Sequence, residues 1–83
     1  MVVFQTAVAL YFDRPHRERF VELMLDLVGA GACHWVSNEQ QDILPSVTAT
    51  ATQRPDDWLS FVLGVDGQAV ALTHQHGAGI RWL

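Results

Sequence analysis

The side chains of this 83-residue chain that could carry chemistry are few and widely spread. His74-Gln75-His76 sets two imidazoles on one face if the segment is extended, because side chains alternate along a strand, and His-x-His is one way of presenting two metal ligands. His34, Cys33 or His16 would have to complete such a site, and no spacing singles one of them out. The expectation is therefore no bound metal and no cofactor, with His74 continuing the Val70-Leu72 face to the rim of a sheet and His76 solvated beside a turn. Cys33 next to His34 has the composition of a thiolate and its base. Neighbours on a strand point to opposite faces, however, so the two cannot hydrogen-bond as a catalytic dyad must, and Cys33 reads as a small buried hydrophobe.

The remaining candidates suit recognition better than catalysis. Glu18, Glu22 and Asp26 fall along one stripe of a helix, where they form either an ordinary solvated face or a landing strip for a basic partner, with Arg19 softening the repulsion at Glu22. Of the tryptophans Trp35, Trp58 and Trp82, the first reads as core. Trp58, beside a chain break on the expected back of the sheet that also carries Tyr11, and Trp82, one residue from the end of the sequence, each suit an interface anchor.

Composition narrows the partners. All five cations are arginines and the net charge is −4, and a composition with so few cations argues against neutralising a phosphate backbone. A single cysteine rules out a disulfide framework. No apolar run approaches the ~20 residues that span a bilayer, and the first twelve residues alternate like a strand and lack the basic region of a leader. A cytoplasmic protein that binds neither nucleic acid nor membrane is the expectation. The arginine-only, Ala- and Val-rich composition suggests a GC-rich bacterial or phage genome.

These groups must be positioned by elements that punctuation and periodicity mark out. Val2 to Phe12 alternates with the period of a strand. Asp13 then caps a helix from Pro15 to Gly29, Pro15 being tolerated in the first turn, and Gly29 and Gly31 end it. On that helix Phe20, Val21, Leu23, Met24, Leu25, Leu27 and Val28 sweep roughly 200°, a wider apolar arc than one neighbour can cover. Ala32 to Ser37 reads as a second strand and Asn38 to Asp42 as a polar loop. Ser46 to Gln53 alternates regularly and reads as a third strand, with Thr48, Thr50 and Thr52 in a row. Trp58 to Val65 and Gln68 to His76 flank Asp66-Gly67, a strong hairpin signal. Ile80 to Leu83 suits a short terminal strand.

The order β-α-β-β-β-β predicts an α+β domain over residues 1–83, one helix on a mainly antiparallel sheet of four to six strands. A helix over Asp56 to Leu63 would instead give a ferredoxin-like β-α-β-β-α-β order. Phe4, Val8, Leu10, Cys33, Trp35, Leu59, Phe61, Leu63, Val70 and Leu72 are expected to face the helix. Val3, Ala7, Ala9, Tyr11, Val36, the Thr row, Trp58, Val62, Ala69 and Ala71 are left for the back, which is too apolar for a face in water. Helix and sheet back together predict a homodimer. The expected function is a small non-enzymatic protein–protein interaction module that occludes a surface of a larger bacterial or phage protein. Anti-CRISPR inhibitors and immunity proteins are similar to it in size and composition alone. A metal-binding protein or enzyme built on His74 and His76 is the alternative.

Overall fold

Asp13 starts the main helix as its sequence predicts: the backbone is extended there and the carboxylate accepts the His16 amide at 2.9 Å, with Pro15 in the first turn. In the computed structural model, which describes residues 1–83, this helix, α1, runs Arg14–Gly29. It ends where Gly31 takes a φ of +72° and the Gly31 and Ala32 amides fold back onto Val28 and Leu27. Five strands surround it in sequence: β1 (Val2–Thr6), β2 (His34–Gln40), β3 (Phe61–Val65), β4 (Gln68–Thr73) and β5 (Ile80–Trp82). They form one sheet in the order β1-β2-β3-β4-β5. The β1–β2 pair is parallel and the other three are antiparallel. The fold is thus a mixed, mostly antiparallel sheet with one helix packed against it. The parallel pair follows from the crossover, since only an element as long as α1 can return the chain to run alongside β1 in the same direction.

Register divides the sheet into two faces. Val3 pairs with Trp35, Glu39 with Val62, and Val62 with Leu72, so these residues share the face on which α1 lies. Trp35 and Leu72 are fully buried there, packed with Met24, Cys33, Leu44, Val47 and Leu59. Phe12, Phe20 and Trp35 meet edge to face, with ring centroids 5.9 and 6.0 Å apart.

Two expected phases are corrected. Phe4, Phe61 and Leu63 lie on the back of the sheet, whereas Val3, Val62 and Ala69 lie on the helix side. The strand expected over Ser46 to Gln53 is absent; Pro45–Thr48 forms a single helical turn, α2. Pro45 presets φ for that turn, and the threonine hydroxyls satisfy backbone rather than extend a ladder. Thr48 Oγ1 donates to the Gln41 carbonyl, Thr50 Oγ1 donates to that of Val47, and Thr50 Oγ1 also accepts the Ala69 amide. Five strands form all the same, because Ile80–Trp82 supplies the one lost.

No helix forms over Asp56 to Leu63, so the ferredoxin-like order is also corrected. Asp56 Oδ1 instead accepts the Trp58 and Leu59 amides in a tight turn that drops Leu59 into the core. The first strand is shorter than its alternation suggested. Ala7, at φ +52°, breaks it, and a single 3₁₀ turn, Ala9–Tyr11, leads into α1.

Gly64 marks where α2 settles on the sheet. A Cβ built there would stand 2.8 Å from Val47 Cγ1 and 2.9 Å from Ser37 Oγ. Gly64→Ala is expected to destabilise the protein by about 1–3 kcal/mol through overpacking. Gly29→Ala, in the last turn of α1 with open space around it, is expected to be neutral or stabilising by up to about 1 kcal/mol. Urea unfolding of the two variants checks the pair; equal effects would show that α2 yields freely.

Candidate functional site

The most constrained cluster in the molecule lies under β1, and it contains none of the expected site residues. Glu39 is 2% exposed in the middle of the sheet's helix side. Its Oε2 accepts from Gln5 Nε2 at 2.8 Å and from the Val8 and Ala9 amides at 3.2 Å each. Gln5 Oε1 in turn accepts from Trp35 Nε1 at 3.0 Å. Glu39 Oε1 and Ser37 Oγ are buried without a partner. The polar stretch Asn38 to Asp42 suits a loop by composition, yet β2 runs on through Gln40 and carries Glu39 into the interior. The available signal was the Cys33, Trp35, Ser37, Glu39 alternation, which runs unbroken into the polar stretch.

A second polar tie holds the other end of β2. Asp66 sits in the hairpin turn at φ +54° beside Gly67 at +84°, both in the left-handed region that the Asp-Gly pair tolerates. Its Oδ1 accepts the Trp35 amide at 2.8 Å and its Oδ2 lies 2.9 Å from His34 Nδ1. The Trp35 amide, and then the His34 ring, hold the Asp66 carboxyl below its ordinary value.

The acidic stripe is exposed along α1, but it is not uniform. Glu18 is paired with Arg14 at 3.1 Å. Glu18 and Glu22 line a groove of about 530 Å³ between α1 and the Asp42–Ser46 segment, together with Arg14 and Arg17; Asp26 stands outside it. Arg14 and Arg17 make the groove mixed in charge. Tyr11, 81% exposed, lies in the 3₁₀ turn, and Trp58 lies in the loop before β3. Neither lies in a strand, so strand alternation does not place them. Trp58 is instead packed against His74, ring centroids 5.1 Å apart, and against Gly79, where a Cβ would collide with its ring.

His74 and His76 do come close, with centroids 5.8 Å apart, but His74 Nδ1 accepts the His76 amide. That bond occupies one ring nitrogen. No group of three or more His, Cys, Asp or Glu side chains is placed to hold a metal ion. Cys33 is buried, and His34 points out of the core toward Asp66.

The back of the sheet is apolar and exposed at both flanks. Val2 and Phe4 at one flank, and Val65, Ile80 and Trp82 toward the other, are exposed, and no helix covers them. Between them Thr73 Oγ1 donates to Asn38 Oδ1 at 2.8 Å. Aromatic side chains carry roughly 150–250 Å² each. At 63% and 67% exposure Phe4 and Trp82 alone leave on the order of 200–300 Å² bare.

The fold and surfaces define a mixed-sheet α+β protein with one helical layer and one open, apolar sheet face. Over residues 1–82 the chain matches the family described as an uncharacterized protein conserved in bacteria (DUF2332), and it belongs to that family. No curated protein and no solved structure matches it. No helix is long and apolar enough to cross a membrane.

The depressed Asp66 carboxyl sets a pH dependence. A carboxyl lowered in the folded state adds stability that is present above its unfolded value, near 3.8, and is lost as pH falls through the folded one. Asn keeps the left-handed turn and an acceptor for Trp35 but cannot titrate. Asp66→Asn is therefore expected to lose less Tm than the parent between about pH 6 and pH 3, with Asp13 and Asp56 common to both proteins. Parallel Tm losses in thermal melts would show that the carboxylate adds nothing.

Proposed function

We propose that this chain is a non-enzymatic protein–protein interaction module that works as a homodimer, with the β1 flank of the open sheet face in the contact. The observation that carries this reading is the exposure of Phe4 and Val2 on a face with no helical cover. The bare apolar side chains at the β1 flank carry a solvation cost that association through that flank reduces. The reading is supported further by where the constrained chemistry sits. Gln5 links Glu39 Oε2 to the Trp35 indole inside the fold, and the His74 ring accepts the His76 amide. On the opposite side of the sheet α1 exposes Glu22 and Asp26, which suit a partner protein with a basic surface.

Light scattering behind size exclusion tests the association. At tens of micromolar, which suits a modest interface, the parent is expected at twice the 9.3 kDa chain mass. Phe4→Asp, exposed and outside the core, is expected at the single mass with an unchanged circular dichroism spectrum. A parent that remains at the single mass throughout would overturn the reading.

A further inference from the structure

We infer that the free edge of β1 is a strand-addition site, and that its occupant is β1 of a second copy, antiparallel and centred on Phe4. The inference rests on the association proposed above and supplies its geometry.

The flanking bonds fix which backbone groups face outward. The His34 amide donates to the Met1 carbonyl and the Ala7 amide donates to the Asn38 carbonyl. In a parallel ladder alternate residues turn their backbone groups to the same neighbour, so Met1, Val3, Gln5 and Ala7 address β2. The N–H and C=O groups of Val2, Phe4 and Thr6 then point away from the sheet, and all three residues are exposed.

Natural edge strands are blunted by lysine, proline, an inward charge, a bulge or a covering element. Residues 2–6 have none of these: the sequence is Val-Val-Phe-Gln-Thr, and no charged side chain occurs from Met1 to Phe12. The opposite edge, β5, is only three residues long and carries Arg81.

A second copy fits this edge by symmetry. A two-fold axis at Phe4 sets each Phe4 opposite the other and each Val2 opposite Thr6. Every outward amide then meets an outward carbonyl. The two Phe4 rings fall side by side on the open face at cross-strand distance, where aromatic pairs are favourable. No like charges oppose one another.

Amide hydrogen exchange of the intact chain, followed residue by residue from dilute to concentrated solution, tests the geometry. The Phe4 and Thr6 amides are expected to slow roughly tenfold or more as the dimer forms, while Val3 and Gln5, already bonded to β2, change little. Trp82→Ser, at the far flank of the face, is expected to leave the dimer intact. A dimer in which Phe4 and Thr6 stay unprotected and Trp82→Ser abolishes association would overturn strand addition in favour of face-to-face contact, leaving the proposed association standing. A monomer with both amides exposed at every concentration would remove both.

Discussion

Burial of the Glu39 carboxylate is the constraint on which the arrangement of β1 depends. Side chains this polar are almost never fully buried unless their hydrogen bonds are met. Here one oxygen gathers three donors, two of them backbone amides at the start of the 3₁₀ turn. Those amides have no helical partner of their own, so the carboxylate completes the turn while the turn solvates the carboxylate. Gln5 joins the two to Trp35, which bears the edge of Phe20 on α1. The parallel strand, the 3₁₀ turn that follows it and the helix layer are tied at one point.

That tie determines which face of β1 looks outward. Because Gln5 must reach Glu39, Val3 and Gln5 occupy the helix side, and Val2, Phe4 and Thr6 turn to the back. On β3 the same division is set by space: Gly64 and Val62 lie under Val47 and the core, and the larger Phe61 and Leu63 are displaced to the other face. The apolar back is thus a consequence of how the front is filled. A monomer of this size has only one helical layer with which to cover two faces.

Much of the architecture was legible in local chemistry. Asp13 with Pro15, Gly31, and Asp66-Gly67 each specify their conformation within a few residues, and the structure carries them out as capping, termination and a left-handed turn. Trp35 and Cys33 as core followed from alternation. The threonine row misled because period-two alternation of small and β-branched residues is also compatible with a proline-led turn whose hydroxyls bond backbone. Side-chain size suggests the opposite phase for β1 and β3, whereas a buried polar network and a close helix approach decide it; both depend on residues far apart in the chain. Glu39 was hidden for the same reason, since only its distant partners Gln5, Val8 and Ala9 make its burial possible. The expected acidic residues are exposed as anticipated, while Tyr11 and Trp58 lie outside the strands, where alternation does not place them.

The dependence of the fold on Glu39 is most directly tested by urea unfolding of Glu39→Ala beside Glu39→Gln. Alanine strands the Gln5, Val8 and Ala9 donors, each unsatisfied buried group costing about 1–3 kcal/mol, so a loss of about 3 kcal/mol or outright failure to fold is predicted. Glutamine keeps an oxygen in place and is predicted to retain most of the stability. Near-parental stability of both variants would contradict the account.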